Sequence, residues 1–161
     1  MVEADAVTVR LAIDPGPERS AWLVHNTATG GIRQYAISQN EWLLGQLRAG
    51  LSLDVSHVAI EKVESFGMAV GAEVFETVWW SGRFAEALHG LVLERVSRRA
   101  VKLHLCGSAR AKDTNIRQAL IDRYGGSAAI GKKAAPGPLY GVSKDVWSAL
   151  AVAVTAADTL P

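Results

Sequence analysis

A short, largely apolar run, Val7 to Ile13, stops at Asp14, and Pro15-Gly16 follows at once. Such a run reads as a buried strand. Proline and glycine end it. One carboxylate is therefore held at the tip of a rigid element, beside a turn that lets a ligand approach. The same theme returns in Val58-Ala59-Ile60-Glu61 and in Asp145, which heads an apolar, helix-like segment.

The rest of the chain can be arranged around that strand. Ser20 to His25 reads as a second strand, Thr27 to Gly31 as a hairpin turn, and Ile32 to Ile37 as a third strand, together an antiparallel meander. Ser38 with Glu41 three residues on has the capping-box pattern. The helix it opens carries Trp42, Leu43 and Leu47 on one face and stops near Gly50. Val58 to Val63 is the next strand, parallel to the first because a helix intervenes. After a loop at Phe66 to Gly71, a long helical pattern runs from about Ala72 to Val96, with Gly82 inside it as a mark of close packing. Trp79 and Trp80 are adjacent there, so both cannot enter one core; an exposed one hints at a subunit interface. Val101 to Leu105 alternates and reads as the fifth strand, ending near Cys106. Asp113 to Tyr124 reads as a helix, Gly125 to Ser143 as a mobile loop, and Lys144 to Leu160 as a final helix. The expected fold is α/β: a mixed five-stranded sheet, meander then parallel strands, with helices on both faces.

The 161 residues suit a single domain, and hydrophobic residues make up 49% of them, enough for a sizeable core. Residues 1–6 are expected to be disordered. The net charge of +1 excludes a uniformly basic nucleic-acid binder, so any such contact needs a local patch. The lone cysteine, Cys106, precludes an internal disulfide and a cysteine-rich zinc site. The acidic start, Met1 to Asp5, lacks the basic and apolar parts of a signal peptide. The apolar run Ala149 to Ala157 is too short for a bilayer, which needs about 20 residues. A soluble, cytoplasmic protein is expected.

Asp14 and Glu61 fall at the ends of strands placed side by side and parallel, hence at one sheet edge, and Asp145 opens the last helix. Hard divalent cations prefer oxygen ligands. A pair of ions roughly 4 Å apart can activate water and stabilise the leaving oxygen of a phosphodiester. By spacing alone each acid reads equally well as a surface turn, strand-end or helix-start residue, and Glu64 and Asp113 fit the same logic. His25, His57, His89 and His104 are scattered and lack ligand spacing. Arg95, Arg98, Arg99 and Lys102 form one basic cluster. Arg110, Lys112, Lys132, Lys133 and Lys144 lie in or beside loops near the expected catalytic edge, where they would neutralise phosphates. Phe66, just past Glu61, could stack on an unpaired base or pack into the sheet.

The segments Leu-Ala-Ile-Asp14-Pro-Gly, Val-Ala-Ile-Glu61-Lys-Val and Asp145-Val-Trp-Ser-Ala-Leu-Ala-Val-Ala-Val occur in the order seen in RuvC-type Holliday-junction resolvases. From about Val7 to Ala157 the chain resembles that family, within the ribonuclease H-like superfamily, and it looks most like the small RuvC-like proteins of phages and prophages. The resemblance implies that Asp14, Glu61 and Asp145 ligate Mg2+ or Mn2+, two ions per site. The family usually carries a second acid three residues after the one matching Asp145. Ser148 stands at that fourth-ligand position, a departure that puts the ligand in doubt. Lys112, in Ala111-Lys112-Asp113-Thr114-Asn115-Ile116, matches the family's supporting lysine. The implied activity is metal-dependent cleavage of branched DNA, leaving 5′-phosphate and 3′-hydroxyl ends. A homodimer would make paired nicks in a four-way junction, in a bacterial or phage-infected cell.

Three other readings compete, one of them a structural or interaction protein with no site at all. The Ser148 departure suits a catalytically weak or inactive module that binds branched nucleic acid on the same fold. Actin-like and sugar-kinase folds also place an acid and glycine after a strand, but those enzymes usually need two such domains, and the chain has no Walker-type phosphate loop.

Overall fold

The structure, a computed structural model, describes residues 8–50 and 54–160. The expected disorder of residues 1–6, and Val7 at the start of the first strand, lie outside the described residues. The chain runs β1 (Val9–Asp14), β2 (Arg19–Asn26), β3 (Ile32–Gln39), α1 (Asn40–Arg48), β4 (His57–Lys62), α2 (Ala72–Ala87), β5 (Val92–Ser97), α3 (Arg98–Cys106) and α4 (Asp113–Arg123). A single 3-10 turn (Gly126–Ala129), a minimal hairpin of β6 (Gly131–Lys132) and β7 (Ala135–Pro136), and α5 (Val146–Thr159) complete it.

Five strands form one mixed sheet in the order β3-β2-β1-β4-β5. The first three make the antiparallel meander, while β4 pairs parallel to β1 and β5 parallel to β4. This is the expected α/β architecture. The central strand β1 is buried on both faces, and the two sets of alternating side chains feed two cores. Val9, Leu11 and Ile13 join Trp22, Val24 and Ile60 against α1 and α2, through Leu43, Leu44, Trp80 and Phe84. Ala12, Ala21, Leu23 and Ala59 face the other way, onto α5, with α3 and α4 packed behind it. The small residues on that face let α5 lie close: Ala149 and Ala153 are fully buried there. Among the described residues no helix is long and apolar enough to cross a membrane.

Several local expectations are corrected. The long helix ends at Ala87 rather than Val96, and the fifth strand is Val92–Ser97 rather than Val101–Leu105. Val101 to Leu105 belongs to α3, opened by the Ser97 hydroxyl, which accepts the Ala100 N–H, and closed by Gly107 at φ 71°. Val101 is buried and Leu103 exposed, so the apolar–polar alternation there was an amphipathic helix sampled over too short a window. Cys106 therefore ends a helix. Helix α1 starts after Gln39, not Ser38; Ser38 stays in β3 and accepts a hydrogen bond from the Trp22 indole at 3.0 Å. Trp42 points to solvent, and Leu43, Leu44 and Leu47 form the buried face. A Cβ on Gly82 would meet nothing within 4 Å, so that glycine marks no close approach. Of the adjacent tryptophans, Trp80 is buried and Trp79 exposed, as their adjacency requires. Residues 125–143, expected to lack regular structure, hold the 3-10 turn and the β6–β7 hairpin, anchored by the buried Leu139 and Val142.

Candidate active site at the carboxyl edge of the sheet

The register of the two central strands sets the site. Ile13 of β1 lies opposite Ile60 of β4, so the next residue on each, Asp14 and Glu61, emerges side by side at the carboxyl edge. In open α/β sheets this edge is where ligands bind. The turn after Asp14 is held by a buried polar network. The Gly16 N–H donates to the Ser20 hydroxyl at 3.1 Å, Ser20 donates to Asn40 Oδ1 at 2.6 Å, and Asn40 Nδ2 donates to the Gly16 carbonyl at 2.9 Å. Ser20 and Asn40 are both buried. A Cβ on Gly16 would lie 2.2 Å from the Arg19 carbonyl oxygen, so only glycine fits the turn. Sequence reasoning missed Ser20 and Asn40, because nothing local marks two polar residues on β2 and α1 as partners of a turn on β1.

The two carboxyl groups are close enough to share a proton. Asp14 is pushed up to about 8, first by burial, then by the negative charges of Glu61 and Asp145 and its hydrogen bond with Glu61; Arg98 opposes this. Glu61 is also raised by burial, against the pull of Arg98 and the bond from Asp14. Asp145 precedes α5, is exposed and makes no capping bond. It acts on the pair through its charge. Just before it, Lys144 adopts φ 50°, the sole non-glycine residue in the left-handed region among those described. Ser148 is half-buried, one helical turn beyond Asp145.

Among the described residues no group of three or more Asp, Glu, His or Cys side chains is arranged to hold a metal ion. The site as it stands is a two-carboxylate pair with a third acid nearby. That donor set fits a hard divalent cation, because magnesium commonly takes one or two carboxylates and keeps waters. The raised carboxyls fit as well: a cation would relieve the repulsion that a proton relieves in its absence.

The basic residues divide. Arg98 is at the site: Nη1 stands 3.8 Å from Glu61 Oε1, and Nη2 donates to the Asp113 carboxylate. The start of α4 thus reaches the acids through Asp113, while its neighbour Lys112 is exposed and has its backbone N–H bonded to Asn115 Oδ1 at 2.9 Å. Arg110, Lys132, Lys133 and Lys144 are exposed. Phe66, 70% exposed, lines a cleft of about 330 Å³ together with Pro15, Pro17, Glu61 and Arg98. Arg98 was grouped by sequence with a general basic cluster. Its place at the acids depends on the β5 register, in which Glu61 lies opposite Val96 and Lys62 opposite Ser97.

The five-stranded mixed sheet, with helices on both faces, defines an α/β fold of the ribonuclease H-like, RuvC-like kind. Among solved structures the chain is similar to RuvC of Thermus thermophilus, with a TM-score of 0.67 and 19% identity over 93% of each chain. The same figures hold for T. thermophilus RuvC in complex with Holliday junction substrate. At 19% identity the likeness establishes the fold. No protein-family model matches the sequence, and no curated relative matches it.

Proposed function

We propose that this chain is a divalent-metal-dependent endonuclease that cleaves phosphodiester bonds in branched DNA, with the four-way junction as its main substrate. The observation that carries the reading is the Asp14–Glu61 pair, presented side by side at the carboxyl edge of a RuvC-like sheet with Asp145 in electrostatic reach. The solved RuvC complex with Holliday junction substrate supports the choice of DNA. Asp14 and Glu61 would hold Mg2+ or Mn2+, with Asp145 and Ser148 completing the shell directly or through water. When bound, the ion would activate an attacking water and offset charge on the leaving oxygen. Arg110, Lys112, Lys132, Lys133 and Lys144 would neutralise backbone phosphates, and Phe66 would stack on a base at the branch. The exposed Phe75, Val78 and Trp79 on α2 support a homodimer, which would place two sites on one junction. Bacterial or phage-infected cytoplasm would be the setting.

One observation favours a second reading, a binding module with little or no cleavage. Ser148 takes the place of an acid, and among the described residues the acids do not form a three-ligand cluster. A labelled junction, a flap and a linear duplex, each with Mg2+, Mn2+ or EDTA, separate the two. Symmetric metal-dependent nicking of the junction is expected, and Asp14→Asn abolishes it while leaving junction binding intact. Binding without cutting in either metal transfers the assignment to the binding module. Full activity of Asp14→Asn removes Asp14 from the mechanism.

A further inference from the structure

We propose that Arg98 is a latch on Glu61, holding the counter-ion place in the free protein and giving it up when a nucleic-acid phosphate enters the cleft, so that metal binding is coupled to substrate binding. This rests on the metal-dependent reading of the Asp14–Glu61 pair given above.

The geometry of Arg98 carries the argument. Its backbone cannot leave the site, since Ser97 is the last residue of β5 and lies opposite Lys62, the neighbour of Glu61. Its guanidinium is shared between two carboxylates on different elements, Glu61 on β4 at 3.8 Å and Asp113 on α4. The contact with Glu61 is loose, longer than a charge-assisted hydrogen bond of about 2.7–2.9 Å. The contact with Asp113 is close. Asp113 is therefore the tether and Glu61 the group screened. Both lie at a half-open position: the Arg98 side chain is 31% exposed and Glu61 17%. Arg98 and Glu61 line the same cleft as Phe66, the exposed aromatic on which a base would stack. A guanidinium fork matches a phosphate in two parallel hydrogen bonds, a better partner than one distant carboxylate oxygen. A strand lying in the cleft would thus draw the fork off Glu61 and leave that carboxylate to a cation. Until then a positive charge stands about 4 Å from a ligand of the metal and opposes its binding.

The coupling is measurable without catalysis, because linkage makes it a ratio of affinities. Mn2+ binding is titrated by electron paramagnetic resonance of the free ion, with and without a four-way junction made uncleavable by modified linkages at the branch. In the wild type, the junction is expected to tighten Mn2+ binding. Arg98→Gln is expected to tighten Mn2+ binding by about fivefold in the absence of DNA and to shrink the junction's effect. Arg98→Met, uncharged and with a similar stem, should match it. Mn2+ binding that both variants leave unchanged or weaken overturns the latch and makes Arg98 a structural support of Glu61. Absence of Mn2+ binding by wild type and variants alike, with or without junction, overturns the metal reading of the site and the latch with it.

Discussion

At the end of the sheet opposite the acids, His25 offers a sharp test of how the sheet faces are built. His25 on β2 lies opposite Arg10 on β1, and both are buried. Neither ring nitrogen of His25 makes a hydrogen bond of good geometry in the structure, and the Gly30 backbone offers only a weak contact. The ring borders a cleft of about 330 Å³ with Tyr124, Arg123 and Asp158. Its pKa is lowered from 6.5 to about 4, first by burial, then by the charges of Arg10 and Arg123; Asp158 and the Gly30 backbone act the other way. The native state therefore refuses a proton that the unfolded chain accepts below about pH 6.5. Stability is unaffected by this group above that pH and is lost as the pH falls toward 4. Between about pH 7.5 and pH 5 the loss amounts to ~2 kcal/mol, from the ratio of proton occupancies in the two states. His25→Leu removes the group. Near neutral pH it should leave stability unchanged or slightly raised, since a poorly partnered polar ring is replaced by an apolar side chain. Urea unfolding of wild type and variant at the two pH values gives the answer as a difference of differences, in which contributions common to both proteins largely cancel. A gap that stays constant within about 0.5 kcal/mol would falsify the burial argument and mean that His25 is solvated or paired in solution.

Asn40→Ala leaves the Ser20 hydroxyl and the Gly16 carbonyl without their partner and should cost about 1–3 kcal/mol in urea unfolding; it should also weaken Mn2+ binding, because the turn carrying Asp14 loosens. Equal Mn2+ affinity would separate that network from the site. Ser148→Asp adds a carboxylate one turn after Asp145 and is expected to tighten Mn2+ binding and raise any junction cleavage. If neither changes, position 148 lies outside the metal shell. Phe66→Ala should leave stability within about 0.5 kcal/mol, as the ring is exposed, yet weaken junction binding by roughly 1–3 kcal/mol if a base stacks on it. Fluorescence anisotropy with a labelled junction reads this directly, and undiminished affinity returns Phe66 to an ordinary surface residue.

What could be read from the residues follows the range of the signal. Buried strands β1, β2 and β4 announce themselves as apolar runs bounded by turn residues, and β1 and β4 each bring an acid with them. The β5–α3 region misled because Leu88, Leu91 and Val92 continue the helical spacing of α2 across the break. The break itself is one glycine, Gly90 at φ 94°. Val92 to Ser97 then takes the edge of the sheet, where half its residues need not be apolar. The Ser97 cap and the Gly107 stop were present in the sequence, but periodicity over five residues outweighed them. The site was legible where it depends on single residues at strand ends. It was not legible where it depends on register: Ser20, Asn40 and Arg98 reach it from β2, α1 and the end of β5, and no local pattern encodes those meetings.

The same register argument bears on the missing second helix acid. Asp14 and Glu61 are placed by paired central strands and cannot drift apart without breaking the sheet. Asp145 hangs from the start of a helix, after a residue in the left-handed region, and its side chain is exposed. With Ser148 in place of an acid, the start of α5 would offer a cation one exposed carboxylate instead of two. A cation in such a site keeps more of its coordination open to water and to phosphate oxygens, so its retention depends on what lies in the cleft. Two features that look like separate weaknesses, Ser148 and a guanidinium beside Glu61, then act in the same direction. On the metal-dependent reading, both would keep the metal loosely held in the free protein and leave the substrate phosphate to complete the site. Metal affinity that is already tight without DNA would break this connection, and a Mn2+ titration of the free wild-type protein is enough to show it.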